Sequence, residues 1–168
     1  MSGIIELIQG GGVTSAKGFL AGGTYSGIKA AEDDAMDLAI LFSEDLASVA
    51  GMFTTNKVVS PSVTLSKQRV SKDPVKGVIA NSGCANCCVG SQGLADAGEM
   101  ASLAAQHIGA GSDDILVCST GVIGVELPMA LVRQSVGNIT CARDGGRDFA
   151  RAIMTTDTRP KEMAISLD

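Results

Sequence analysis

One Tyr, four Phe and no Trp in 168 residues leave this chain almost no large rings to anchor a core. Hydrophobic residues still make up 45% of it, so a core must be filled by Ala, Val, Ile, Leu and Met, through many small contacts instead of a few large ones. Its 21 glycines exceed the usual share of about 7% and fall between apolar runs with no collagen-like period, which places them at particular turns. The length suits one domain, assigned here to residues 1–168.

Thirteen Lys and Arg stand against eighteen Asp and Glu, a net charge of -5, and no basic run supplies a phosphate-neutralising patch. Nucleic acid is therefore not an expected partner. No apolar stretch approaches the ~18 residues that span a bilayer, and the opening MSGIIELIQGGG lacks the basic start and apolar middle of a signal peptide. A soluble, cytoplasmic protein with no membrane partner is expected. The five cysteines, Cys84, Cys87, Cys88, Cys118 and Cys141, are odd in number, and the first three crowd together, which argues against a disulfide framework. A reducing compartment agrees with that.

The alternation of Leu38, Ile40 and Phe42 predicts a half-buried strand over 37–43. Further strands are expected at 48–56, in the SVTLS run between Pro61 and Lys67, and over 75–81, where Asn-Ser-Gly signals a turn. Leu94, Ala97, Ala101, Ala104 and Ile108 recur at helical spacing, widened by Met100 and Leu103, and Gly109 supplies a stop. Residues 113–121 read as a buried strand running into a Gly-flanked turn. Pro128 opens a helix, another covers 146–154, and the Thr155-Thr156-Asp157-Thr158 run ends it in a turn before a strand starts in the last six residues. These elements imply an α/β or α+β domain with at least one sheet.

Three groups of residues bear on chemistry. Ser119 to Gly124 follows a buried strand, so the Thr120 hydroxyl and the Gly121 N–H form two convergent donors suited to an oxyanion, or merely a strand-to-helix turn. The knot of Thr155, Thr156, Asp157 and Thr158, followed by Arg159 and Lys161, suits a small polar substrate, and equally a capped turn. Cys84-x2-Cys87-Cys88 has the spacing of half a metal site, but no second pair exists and His107 is the one histidine, so the thiols read as small packing residues and no metal is expected. His107 as base for a cysteine nucleophile is weaker than His107 as a helix-end cation. Glu32, Asp33 and Asp34 read as a solvated turn. No nucleophile paired with a base is present.

Five stretches in order resemble the ornithine acetyltransferase family, also called glutamate N-acetyltransferase: GVTSAKGFLAGGTYSGIK at 12–29, GMFTTN at 51–56, NSGCANCCVG at 81–90, STGVIG with Leu127-Pro128-Met129 close behind, and RAIMTTDTRPKE at 151–162. The resemblance implies a layered α/β (α+β) sandwich of sheets and helices with an N-terminal-nucleophile-like fold, completed by a separate β chain cut from the same precursor. It implies that this chain is the α subunit of an α2β2 assembly, inactive without the β-chain threonine, whose Met-Ala-Thr context is absent from these 168 residues.

The implied reaction is ping-pong transfer of an acetyl group from N2-acetyl-L-ornithine to L-glutamate. Thr120 and Gly121 then match the oxyanion donors, Thr155 a substrate contact, and Thr156 and Asp157 its neighbours. No cofactor is implied, although acetyl-CoA is an acetyl donor for some members. Cys84 stands where the family pattern has asparagine, and Cys87 where it has alanine. An amidohydrolase or aminopeptidase of similar fold and a non-catalytic amino-acid-binding domain are the competing readings.

Overall fold

The computed structural model describes residues 5–31 and 34–167, which form β1 (Ile5–Ile8), β2 (Phe19–Thr24), β3 (Leu38–Ala47), α1 (Pro61–Val70), β4 (Val75–Cys84), α2 (Gln92–Ile108), β5 (Ile115–Val122), α3 (Met129–Ser135), α4 (Gly146–Ala152) and β6 (Ala164–Leu167). Four strands make one sheet in the order β2-β3-β4-β5, antiparallel except for the parallel pair β4 and β5. Strands β1 and β6 pair separately, antiparallel, with Ile5 opposite Leu167. Glu32 and Asp33 of the acidic run, and Asp168 of the final strand, lie outside the described residues.

The side-chain alternation of β3 explains the layers. Leu38 and Ile40 face one side and join Ile79, Ile115 and Val117 against Ala97, Met100, Ala101 and Ala104 of α2 and Val132 of α3. Ala39 faces the other side and meets Ala21, Ala80, Phe149 and Ala152. Leu38, Ala39 and Ile40 are all fully buried. The half-buried strand expected there is thus covered on both faces, since helices lie on each.

The scarcity of aromatics matches this architecture. Phe149 is the buried ring, and it sits on a floor of alanines. Small residues in β2 let α4 come close: a Cβ on Gly23 would stand 2.8 Å from the Asp148 carbonyl oxygen. The large apolar contacts are left to the opposite face, where complete burial of a side chain such as Met100 contributes roughly 1.5–3 kcal/mol.

Helix α2 forms where its stripe predicts, and Gly109 caps it in the left-handed conformation (φ 71°). Leu94 is the exception in that stripe, 47% exposed on the first turn. Other expectations fail. Residues 61–67 are helical because Ser60 caps the helix, its hydroxyl accepting from the Val63 N–H, and Pro61 opens it; this start signal outweighs the extended preference of Val and Thr. Residues 48–56 form no strand; Met52 is wholly exposed, and no neighbouring strand pairs with the segment. Asn81-Ser82-Gly83 does not end β4, which continues to Cys84 because β5 pairs with it along that length. Strand β5 likewise runs through Thr120 and Gly121 without turning at them. Among the described residues, no helix is long and apolar enough to cross a membrane.

Candidate active site

The parallel pair β4 and β5 carries two glycines opposite each other, Gly83 and Gly121. Gly121 has φ 133°, and a Cβ there would stand 2.3 Å from the Gly83 carbonyl carbon and 2.6 Å from the Cys84 nitrogen. Only glycine fits, on grounds of both conformation and space. Thr120, just before it, is exposed, and among the described residues nothing hydrogen-bonds its hydroxyl. Its neighbour Ser119 is tied down, accepting from the Ser62 hydroxyl at 3.0 Å.

Next to this strand end lies a cleft of about 530 Å³ whose walls include Lys29, Gly83, Val122, Arg151, Thr155 and Asp157. The structure therefore brings two of the predicted substrate contacts, Thr155 and Asp157, to the cleft that the end of β5 borders. Thr156 does not line it, and Thr120 and Gly121 precede Val122 outside its lining. Arg159 and Lys161 line a separate hollow with Glu162 and Met163.

Charge of both signs surrounds the cleft. Lys29 Nζ donates to the Met154 carbonyl at 3.1 Å, while Arg151 Nη2 donates to the Asp34 carbonyl at 2.5 Å and stands 3.4 Å from its carboxylate. Asp157 accepts from Lys161 Nζ and, at 3.2 Å, from the Thr155 N–H. The Lys161 hydrogen bond first, and that from Thr155 second, hold the Asp157 carboxyl below its ordinary range. Such a rim suits a small zwitterion bearing both ammonium and carboxylate groups.

The loop that carries Lys29 is organised by Asp37, a residue that sequence reasoning passed over as the first position of a strand. Its carboxylate is fully buried. It accepts from the Ser26 N–H and hydroxyl, both at 2.6 Å, and from the N–H groups of Gly27 at 3.1 Å, Ile28 at 2.7 Å and Lys29 at 3.0 Å. Its own carbonyl accepts from the Ser82 N–H, and the Ser82 hydroxyl donates to the Ala152 carbonyl at 2.6 Å, which links the loop, β4 and the end of α4. The available signal was an acid directly before an apolar run, with Ser-Gly eleven residues upstream.

The cysteine turn supports β5 from the other side. Cys84 is buried and its thiol donates to the Val125 carbonyl at 3.3 Å, the Ala85 N–H bonds the Val122 carbonyl at 2.9 Å, and the Gly124 N–H bonds the Cys87 carbonyl at 2.8 Å. All five cysteines are free, and no metal-binding group of three or more ligands occurs among the described residues. His107 engages the Ile139 carbonyl at 2.7 Å through Nε2, with no thiol in that contact.

Residues 20–168 match the ArgJ family. The chain is 41% identical over 168 residues to the arginine biosynthesis bifunctional protein ArgJ of Dehalococcoides mccartyi, covering 100% of this chain and 42% of that protein. It is 40% identical over 162 residues to the glutamate N-acetyltransferase of Methanocaldococcus jannaschii, covering 94% and 38%. This chain thus spans about two fifths of the length of these curated relatives. Among solved structures it is similar to the ornithine acetyltransferase of Mycobacterium tuberculosis complexed with ornithine, with a TM-score of 0.90 and 38% identity over 96% of this chain and 88% of that one. It is also similar to the arginine biosynthesis bifunctional protein ArgJ of Bacillus halodurans, with a TM-score of 0.88 and 30% identity over 100% of this chain and 94% of that one.

Proposed function

This chain belongs to the ArgJ family, and on that premise we propose that it is the α part of a cytoplasmic acetyltransferase that moves the acetyl group of N2-acetyl-L-ornithine to L-glutamate. In this reading residues 1–168 form one domain, and a β chain from the same precursor completes an N-terminal-nucleophile-like fold as an α2β2 assembly. The β chain brings a threonine nucleophile, whose hydroxyl attacks the acetyl carbonyl while its own α-amine takes the proton. The amide C–N bond then breaks, ornithine leaves with that proton, and the acetyl group remains as a threonine ester. The glutamate amine attacks this ester, the C–O bond breaks, and the threonine hydroxyl is restored. Acetyl-CoA is a candidate alternative donor.

Each half-reaction passes through a tetrahedral oxyanion, and in this reading the Thr120 hydroxyl and the Gly121 N–H stabilise it. The observation that carries the proposal is an exposed Thr120 hydroxyl without a partner, held beside a glycine pair at the edge of a cleft with a mixed-charge rim. Thr155 and Asp157 face the substrate there, and Thr156 supports the same turn from outside the cleft wall.

The test is Thr120→Ala in the assembled protein, assayed by transfer of acetyl from N2-acetylornithine to glutamate. Loss of one oxyanion donor lowers kcat on the order of 10²-fold, with the far-ultraviolet spectrum and the melting temperature retained. An unchanged kcat removes Thr120 from the mechanism. Intact mass spectrometry with N-terminal sequencing reads the subunit arrangement directly: a co-purifying chain that begins with threonine is expected.

A further inference from the structure

We propose that Cys87 and Cys88 form a two-thiol site for monosubstituted trivalent arsenicals, built on the turn that secures the segment after Gly121. Their sulfurs lie 3.8 Å apart. Two sulfurs bonded to one pyramidal trivalent arsenic stand slightly closer than this, so the pair bridges after closing by a few tenths of an ångström.

The backbone sets that geometry. Asn86 (φ 46°) and Cys88 (φ 61°) both adopt the left-handed conformation, one on each side of Cys87. The turn is pinned at three points. Asn86 is wholly buried and its side-chain N–H donates to the Gly93 carbonyl at 2.8 Å; the Ala85 N–H holds Val122; the Cys87 carbonyl holds the Gly124 N–H. A pair pre-set in this way loses little freedom when it is bridged. Cys88 is exposed and Cys87 partly so, whereas Cys84 is buried with its thiol directed to Val125.

Desolvation first, and the hydrogen bond with Cys88 second, hold the Cys87 thiol above its ordinary range, so the resting form of the site carries its thiol proton. The chemistry supplies its own exit for those protons. A hydrated arsenical, R–As(OH)2, meets two S–H groups; two As–S bonds form, two As–O bonds break, and the thiol protons leave in two molecules of water. Arsenic stays trivalent throughout, and no oxidant is needed. The site stands independently of the acetyl-transfer proposal, because its readout is binding.

The probe is phenylarsine oxide added to the purified protein and followed by intact mass spectrometry. One phenylarsenic group per chain is expected, resistant to excess glutathione and removed by 2,3-dimercaptopropanol. Cys87→Ser and Cys88→Ser each weaken capture roughly 100-fold, since the second bond is no longer intramolecular, while Cys118→Ser leaves it unchanged. Proteolytic mapping of the wild-type adduct locates it without any variant, and the peptide containing 87 and 88 is expected to carry it. No adduct on the wild-type protein, an adduct that glutathione strips, or one mapped to Cys118 or Cys141 overturns the proposal.

Discussion

Asp37→Asn is the sharpest test of how the cleft is assembled. The substitution keeps the shape of a fully buried side chain but removes its charge and replaces one oxygen with an NH2 group. One carboxylate oxygen receives the Ser26 N–H and hydroxyl, and the other receives the N–H groups of residues 27–29. Whichever way the amide is set, its NH2 therefore faces at least two donors. Hydrogen bonds to a charged group contribute about 1.5–3 kcal/mol each. Discounting the three partly exposed partners, the loss comes to about 4 kcal/mol, or a fall in Tm of roughly 8–16 °C for a chain of this size. Urea unfolding followed by circular dichroism measures the loss, and amide exchange at Ile28 and Lys29 should accelerate with it. A loss below about 1 kcal/mol with an unchanged denaturant slope would refute the reasoning, because the loop would then be held by something other than the carboxylate.

Three further outcomes follow from the geometry. Gly121→Ala should force β4 and β5 apart, given a Cβ 2.3 Å from the Gly83 carbonyl carbon, and yield insoluble protein or a Tm more than about 10 °C lower; a Tm within about 2 °C of the wild type would contradict the packing. Burial pushes the Cys141 thiol up to about 11 from an ordinary 9.0. The folded state then holds a proton that the unfolded state releases, so stability should fall as pH rises from 9.0 towards 11. Cys141→Ala should flatten that decline in pH-dependent urea melts. Lys161→Ala removes the leading cause of the lowered Asp157 pKa, so a carboxyl titration by NMR should move Asp157 up towards 3.8. Stability linked to this carboxylate is present above about 3.8 and lost as pH falls through the depressed folded value, and the variant should show less of that loss.

What the sequence disclosed depends on how far each signal reaches. Helix α2 is legible because its stripe and its glycine stop lie within one element. Helix α1 was misread because its Ser-Pro start is two residues long, whereas Val63, Thr64 and Leu65 suggest an extended chain over a longer window. The end of β4 was misplaced because Asn-Ser-Gly usually turns, and the partner that keeps it extended, β5, lies more than thirty residues away. At the site, Thr155 and Asp157 line the cleft, and the polar knot that singled them out is a local signal. Asp37 was missed for the opposite reason: its partners at 26–29 sit across a loop, and an acid eleven residues after a Ser-Gly pair says little until the chain folds back on itself. Gly83 is needed for its own left-handed conformation and for the close approach of Ile28 and Lys29, while its place opposite Gly121 exists only once the strands pair in parallel.

The ribbon of β1 and β6 has a mechanical consequence. Because Ile5 pairs with Leu167 and Ile8 with Ala164, the outermost rung joins residues from opposite ends of the described chain. Tension applied across those ends would open the ribbon rung by rung, like a zipper, loading one pair at a time. Among the described residues no strand of this ribbon pairs with the sheet that positions the cleft. The ribbon therefore acts as a fuse: it yields first under pulling and leaves the four-stranded sheet unloaded until its last rung has parted.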